Sequence, residues 1–280
     1  MQQAAPVRLY GKRGCPAAYA IRDFLHRSDI PFEWIELRDD EHARKELGVE
    51  NVDDSRLPIC IFGDGTRIER PSVRQITEKL GWFRNPSRSE YDLAIYGAGP
   101  AGLSASVYGA SEGLKTVLVE RLAVGGQAAT SPKIENYLGF PEGISGADLA
   151  ERAREQASRF GTEILIHRAG VRGEFTTCRG VVDLDDGTKI ISRVSVCATG
   201  VEYRRLGLPN EEKLFGAGVY YGAGASEAQL CGNEHIVIVG AGNSSAQASL
   251  YLARYARKVS IVMRGAVSYT HLTLPTILRV

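Results

Sequence analysis

The fold is decided by Tyr91-Asp92-Leu93-Ala94-Ile95-Tyr96-Gly97-Ala98-Gly99-Pro100-Ala101-Gly102. An apolar run of strand length meets a glycine-rich turn, and a helical pattern follows over 103–112. In a strand–turn–helix of this kind, Gly97 permits the tight turn and Gly99 lets a pyrophosphate approach the backbone. Gly102 lets the helix pack closely on the strand. The stretch therefore predicts a dinucleotide-binding unit.

The residues that follow support this prediction. A second apolar strand over 116–119 ends at Glu120, an acid placed to hold a ribose hydroxyl. The N-terminus of the intervening helix offers unpaired N–H groups and a positive dipole end to phosphates. Strand, turn, helix, strand and terminal acid occur in the order that the dinucleotide fingerprint requires.

Composition describes an ordinary globular protein. The 280 residues are enough for two or three domains, and the net charge of +1 gives no reason to expect nucleic acid or an anionic membrane as partner. No apolar run reaches transmembrane length, and no signal-peptide core is present. The five cysteines are Cys15, Cys60, Cys178, Cys197 and Cys231. They are odd in number and never form a CxxC pair, which predicts a reducing cytoplasm and argues against a disulfide scaffold or a metal site.

The region before residue 85 is predicted to form a domain of its own. Strand patterns flank a helix over 17–27, and a hairpin turn at Gly63-Asp64-Gly65 precedes a last helix that begins after Ser72. This βαβ–ββα order resembles the thioredoxin fold. The start of the first helix at Cys15-Pro16 resembles glutaredoxin.

The glutaredoxin resemblance makes Cys15 the candidate catalytic residue. The helix N-terminus and Lys12 or Arg13 would stabilise its thiolate. The resemblance implies that Pro58 is cis, but the second cysteine of the family would fall at Ala18, so no intramolecular disulfide can form there. The alternative is a thioredoxin-fold docking module whose cysteine is incidental.

Four ordered motifs between residues 90 and 266 resemble the thioredoxin reductase family of flavoproteins. They are Gly-Ala-Gly-Pro-Ala-Gly at 97–102, Gly-Gly-Gln at 125–127, Glu-Asn-Tyr-Leu-Gly-Phe-Pro at 135–141 and Ala-Thr-Gly at 198–200. The first glycine motif of that family binds FAD. The resemblance also implies a homodimer and an FAD site formed by Gly97, Gly99, Pro100, Ala101, Gly102, Glu120, Gly126, Gln127, Asn136 and Gly200.

A second strand–turn–helix pattern predicts the nicotinamide site. An apolar strand over 235–239 precedes Gly240-Ala241-Gly242, and Ser245 replaces the third glycine. The next strand ends at Arg264 rather than at an acid, which favours NADPH over NADH because arginine pairs with a 2′-phosphate. The predicted contacts are Gly240, Gly242, Asn243, Ser244 and Arg264.

The redox motif of the family is absent. The resemblance places its CxxC on Gly222-Ala223-Gly224-Ala225, where neither cysteine is present. Cys197 lies in an apolar strand and is expected to be inert core. Electrons could pass from NADPH through FAD to a disulfide or another small redox partner, with the Cys15 module and glutathione as candidate relay. A ferredoxin/flavodoxin–NADP reductase-like enzyme and a non-catalytic flavin-binding redox sensor stay open.

These patterns divide the chain into five segments. We expect a glutaredoxin/thioredoxin-like domain at 1–84, a linker at 85–89, an FAD domain at 90–205 and a partial NAD(P)H domain at 206–266. The fold class is α/β, with a thioredoxin-like domain followed by two Rossmann-like three-layer domains, the second incomplete. The tail at 267–280 begins Val-Ser-Tyr-Thr-His-Leu, which a transposon end used in sequencing libraries encodes. We therefore expect it to be adapter-derived and not native.

Overall fold

The computed structural model describes residues 7–202, 204–228, 230–240 and 242–263. Arg264 and the predicted adapter-derived tail at 267–280 lie outside these described residues. The chain divides into two compact units, Met1–Val219 and Tyr220–Val280, which are described separately below.

The first unit begins with a four-stranded sheet in the order β2-β1-β3-β4. Strand β1 pairs parallel with β2 and antiparallel with β3, so the predicted βαβ–ββα order is observed. Helix N-caps set the boundaries, because Asp39 and Ser72 each accept a backbone N–H three residues ahead. The elements are β1 (Val7–Gly11), α1 (Pro16–Arg27), β2 (Phe32–Glu36), α2 (Asp40–Leu47), β3 (Ile59–Ile61), β4 (Arg67–Glu69) and α3 (Val73–Lys79).

A six-stranded sheet follows, in the order β7-β6-β5-β10-β9-β8. Strands β7, β6, β5 and β10 are parallel, and β8, β9 and β10 form an antiparallel meander. The sequence patterns did not predict β8, which is exposed along its length. The elements are β5 (Tyr91–Tyr96), α4 (Pro100–Ser111), β6 (Thr116–Glu120), a 3₁₀ turn (Ala128–Thr130), α5 (Gly146–Arg159), β7 (Glu163–Ile166), β8 (Gly170–Phe175), β9 (Gly180–Leu184), β10 (Lys189–Cys197) and α6 (Glu211–Leu214).

This strand order creates a switch point at the centre of the sheet. The chain moves from β5 outward to β6 and β7, and it later returns to the other side of β5 as β10. In open α/β sheets, ligands bind at such a point, outside the carboxyl ends of the strands. The glycine turn after Tyr96 and the Ala198-Thr199-Gly200 segment both lie at this edge.

The prediction that Cys197 belongs to an inert core is wrong. Strand β10 is buried only in its first half, where Ile190 and Ser192 lie inside the sheet. Further along the strand Val194 is 57% exposed, and Cys197 is also exposed, with its Sγ 3.6 Å from the Thr199 hydroxyl. An apolar run identifies a strand, but it does not show which of its residues are covered.

In its described residues, the second unit contains a parallel pair of strands and two helices. Strand β11 pairs with β12 in register from His235 with Lys258 to Val239 with Val262. None of the helices in the described ranges has the length and apolar character needed to span a bilayer. The elements are α7 (Ala225–Ala228), β11 (His235–Val239), α8 (Asn243–Leu252) and β12 (Lys258–Val262). Both units follow the predicted α/β fold class.

Candidate dinucleotide-binding site

The turn after β5 can be made only by glycine. Gly97 has φ +106°, a region that favours residues without a side chain, and its N–H donates to the Val119 carbonyl of β6 at 2.8 Å. A Cβ built on it would lie 2.3 Å from the Ala198 carbonyl oxygen. Gly97 therefore lets β5, β6 and the end of β10 converge.

Gly102 and Gly99 are glycines for different reasons. A Cβ on Gly102 would lie 1.8 Å from the Gly97 carbonyl oxygen, so the packing of α4 on the turn requires glycine. A Cβ on Gly99 would meet only the Gly126 Cα, at an ordinary 3.9 Å. The space beside Gly99 is thus open in this structure, and it is where the fingerprint places a pyrophosphate.

Helix α4 directs its N-terminus into this space. Gly99 is the N-cap and has no side chain to accept an N–H of the first turn, while Pro100 at N1 has no N–H to satisfy. The free N–H groups of the first turn, which begins with Pro100 and Ala101, form a donor set of the kind that binds phosphate.

Glu120 is buried at the end of β6 and already holds two backbone donors. Its Oε2 accepts the N–H of Ala98 at 2.7 Å, and its Oε1 accepts the N–H of Leu122 at 2.8 Å. An ionised carboxylate has about four acceptor positions, so capacity is left for ribose hydroxyls. Sequence reasoning assigned Glu120 to the ligand but missed that the same carboxylate fixes the glycine turn.

The Gly-Gly-Gln segment forms a wall of the site that lies directly against Gly99. The Gly125 N–H donates to the Ala98 carbonyl at 2.7 Å, and Gly126, at φ +57°, faces Gly99. The Gln127 amide donates to the Val201 carbonyl at 2.6 Å, which connects this wall to the segment after β10.

Two further predicted FAD contacts, Gly200 and Asn136, lie in loops. Gly200 has φ +67°, and a Cβ there would meet nothing within 4 Å. Asn136 lies exposed in the loop before α5.

The ring of Tyr96, at the end of β5, is partly buried. Burial raises the pKa of Tyr96 to about 12, so this phenol is uncharged at neutral pH.

Cys15 lies at the N-cap of α1, partly exposed, with Pro16 at N1. The Lys12 ammonium forms an ion pair with Asp53. The Leu57–Pro58 peptide is cis, as the glutaredoxin resemblance implies. Cys60 differs from Cys15, because burial raises the pKa of Cys60 to about 12 and leaves it an inert thiol.

The second glycine turn repeats the first in its backbone. Gly240 has φ +137°, its N–H donates to the Val262 carbonyl at 2.9 Å, and a Cβ on it would lie 2.7 Å from the Ser245 hydroxyl. Gly242 is the N-cap of α8, and a Cβ there would meet nothing within 4 Å. Ser244 lies exposed in the first turn of α8, as an approaching phosphate requires. The side chain of Asn243 and all of Arg264 lie outside the described residues.

Nothing in the described part of the chain gathers metal ligands: no three His, Cys, Asp or Glu side chains come together there. At the position of the missing CxxC, the Gly224 N–H donates to the Glu227 carboxylate at 2.7 Å as α7 begins. The segment therefore enters a helix without a redox-active pair.

Two strand–glycine turn–helix units in one chain define a protein with two folds of the dinucleotide-binding type. Residues 91–271 match the pyridine nucleotide-disulphide oxidoreductase family, and residues 7–64 match the glutaredoxin family. The chain belongs to the pyridine nucleotide-disulphide oxidoreductase family and carries a glutaredoxin-like segment ahead of it. The predicted resemblance is confirmed.

Curated relatives and solved structures agree with this assignment. The chain is 39% identical over 175 residues to a thioredoxin reductase of Bacillus subtilis, covering 62% of this chain and 54% of the relative. It is 37% identical over 182 residues to that of Peptoclostridium acidaminophilum, covering 62% and 54%. The Lactococcus lactis thioredoxin reductase structure aligns with a TM-score of 0.58 at 33% identity, covering 62% of this chain and 56% of that one. The chain thus spans about half the length of the relatives it matches.

Proposed function

We propose that this protein is an FAD-dependent NAD(P)H oxidoreductase that passes electrons to a disulfide or to another small redox acceptor. The observation that carries the proposal is the open approach to Gly99, bounded by the N-terminus of α4, Glu120 and Gly126. Family membership supports the same chemistry, since its curated relatives are named thioredoxin reductases.

The proposed FAD contacts have separate tasks. The N–H groups of the first turn of α4 would bind the pyrophosphate, and Glu120 would accept ribose hydroxyls. Gly126 and Gln127 would bound the site next to Gly99, and Asn136 and Gly200 would add contacts from two further loops. When bound, FAD accepts a hydride from the nicotinamide and releases its electrons to a second acceptor.

We propose NADPH as the donor, bound at Gly240, Gly242, Asn243 and Ser244. The backbone at Gly240 and Gly242 supports the proposal by its likeness to the first turn. The preference for NADPH rests on Arg264, whose guanidinium would pair with the 2′-phosphate.

The glutaredoxin-like module is our proposed route to the acceptor. Without a CxxC at 222–225, electrons have no dithiol exit there, and Cys15 is a partly exposed cysteine at a helix start. A single thiol needs a second sulfur to form a disulfide, which glutathione or a partner cysteine would supply. In the overall reaction, NADPH, a proton and a glutathione mixed disulfide give NADP⁺ and two thiols.

We further propose a cytoplasmic homodimer with the domain limits expected from the sequence: 1–84, a linker at 85–89, 90–205 and 206–266. The odd number of cysteines, none of which is in a disulfide, supports a reducing compartment. The family resemblance supports the dimer.

The test of this route is NADPH-dependent reduction of a glutathione mixed disulfide by the natural protein, meaning the protein without the expected adapter-derived tail at 267–280. Cys15→Ser should abolish it and leave flavin reduction by NADPH intact, because the two steps use different residues. Cys178→Ser is the matched control, since Cys178 is an exposed cysteine outside the module. Equal disulfide reduction in Cys15→Ser would exclude the relay and favour an external electron-transfer protein.

A further inference from the structure

Arg27 is the last residue of α1 in the glutaredoxin-like module. It reaches the Gly125-Gly126-Gln127 segment, which we call the flavin loop. Its Nη2 donates to the Gly126 carbonyl at 2.9 Å, and its Nη1 lies 3.3 Å from the Asp23 carboxylate one turn earlier. The Arg27 side chain is only 16% exposed. A charged donor shielded from water forms a stronger hydrogen bond than a neutral one.

A donor at the Gly126 carbonyl has a large effect on the direction of the Gly126 peptide. Gly126 has φ +57°, and a glycine has wide freedom to rotate its flanking peptides. The peptide unit is planar, so fixing the direction of the Gly126 carbonyl also fixes the direction of the Gln127 N–H. Arg27 thereby sets the orientation of the peptide that lies against Gly99.

Apolar contacts hold the two surfaces together beside this hydrogen bond. Ala123, which precedes the loop, is 3% exposed and packs in the same core cluster as Ile21 and Leu25 of α1. The Phe24 ring meets the His167 ring edge-on, with centroids 5.3 Å apart. The last two turns of α1, which lead to Arg27, are therefore packed against the flavin-binding domain.

The segment predicted as a linker is fixed as well. The buried guanidinium of Arg168 donates to the Asn85 side chain at 3.0 Å and to the Arg84 carbonyl. The Ser87 N–H and hydroxyl both donate to the Glu163 carboxylate at 2.7 Å. The module therefore contacts the flavin-binding domain both through the linker segment and through α1, the helix that carries Arg27.

We propose that Arg27 is a positioning residue for the flavin loop, so that the glutaredoxin-like module holds Gly126 and Gln127 in the orientation that receives the dinucleotide. The inference rests on the proposed FAD site, but it concerns a residue of the other module. The fused module is then part of the cofactor site, whatever acceptor its cysteine serves.

The first test needs no cofactor. Hydrogen exchange is measured on the full chain for peptides spanning 122–131, in the wild type and in Arg27→Met, which keeps the aliphatic stem but removes the donors. Arg67→Met is the matched control, because Arg67 makes a similar 2.8 Å bond to the Leu47 carbonyl within the module. We expect roughly tenfold faster exchange in the loop for Arg27→Met, the equivalent of one lost charged hydrogen bond, and unchanged exchange for Arg67→Met. Equal loop exchange in all three proteins would overturn the proposal.

The second test is a titration of the natural protein with FAD. Arg27→Met should raise the dissociation constant by roughly tenfold, Arg27→Lys should recover part of the loss, and Arg67→Met should bind as the wild type does. Should Arg27→Met fail to fold, Arg27→Lys is read against the same control. A wild-type protein that takes up no FAD would contradict the proposed function, whereas FAD binding of equal strength with and without the Arg27 guanidinium would contradict the positioning role alone.

Discussion

Gly99 and Gly126 lie against each other at the edge of the proposed pyrophosphate site: a Cβ on Gly126 would lie 3.0 Å from the Gly99 Cα, and a Cβ on Gly99 would lie 3.9 Å from the Gly126 Cα. The 3.9 Å distance is an ordinary contact, so the protein itself has room for a methyl group at Gly99. Binding is different, because a pyrophosphate must approach the same backbone atoms.

Gly99→Ala should therefore fold normally and lose FAD. We expect a change in unfolding free energy within about 1 kcal/mol and a loss of FAD affinity of at least roughly tenfold, since the new methyl group occupies the space of the ligand. Thermal unfolding and a fluorescence titration with FAD measure the two effects. Gly232→Ala is the control, because a Cβ there meets nothing within 4 Å. Unaltered FAD affinity in Gly99→Ala would remove this space from the binding site.

Gly102→Ala should act on folding instead. Its Cβ would lie 1.8 Å from the Gly97 carbonyl oxygen, so α4 and the turn must move apart. Overpacking of this kind costs about 1–3 kcal/mol, and we expect the urea midpoint to fall accordingly. A Gly102→Ala protein as stable as the wild type would show that helix packing does not require glycine there.

Stability at acid pH should report the Arg168–Asp186 pair, whose nearest atoms lie 2.6 Å apart. Burial raises the pKa of Asp186, but hydrogen bonds from Arg168 and Thr188 outweigh it and hold the pKa at about 2. A carboxyl group whose pKa is lowered on folding stabilises the protein above its unfolded pKa of about 3.9. That contribution should disappear as the pH falls from about 4 to about 2.

Asp186→Asn should flatten this part of the pH profile, measured as unfolding free energy against pH. The exposed pair of Arg172 and Glu174 provides the control, since both of its side chains are about 70% exposed and such pairs contribute little. A profile that is equally steep in Asp186→Asn and in the wild type would assign the acid sensitivity to other groups.

The nicotinamide preference is predicted to depend on Arg264. A charge-assisted contact is worth about 1.5–3 kcal/mol, so Arg264→Ala should reduce the preference for NADPH over NADH by roughly tenfold or more. The ratio of kcat/KM for the two cofactors in the natural protein and the variant measures it. Arg257→Ala, at the residue just before β12, is the control. If the ratio does not change, Arg264 is an ordinary surface cation.

The sequence predicted the features that depend on a short motif. The glycine turn, Glu120 and the cis Pro58 each belong to a short motif whose spacing restricts the backbone, and the structure reproduces the turn and the cis peptide. The exposure of Cys197 was missed because burial depends on what covers a strand. The Arg168 contacts were missed for a related reason, since Asn85 and Arg84 lie 83 and 84 residues away in the chain. No local pattern reveals such pairs, and the same holds for Arg27 and Gly126.

We propose electron transfer from NADPH to FAD held beside Gly99. It is tested most directly by adding NADPH without oxygen to the natural protein loaded with FAD and following the absorbance of oxidised flavin. We expect this absorbance to fall in proportion to the NADPH added, and we expect Gly99→Ala prepared in the same way to retain little flavin to reduce. Full oxidised-flavin absorbance after excess NADPH, or equal flavin content and reduction in Gly99→Ala, would contradict it.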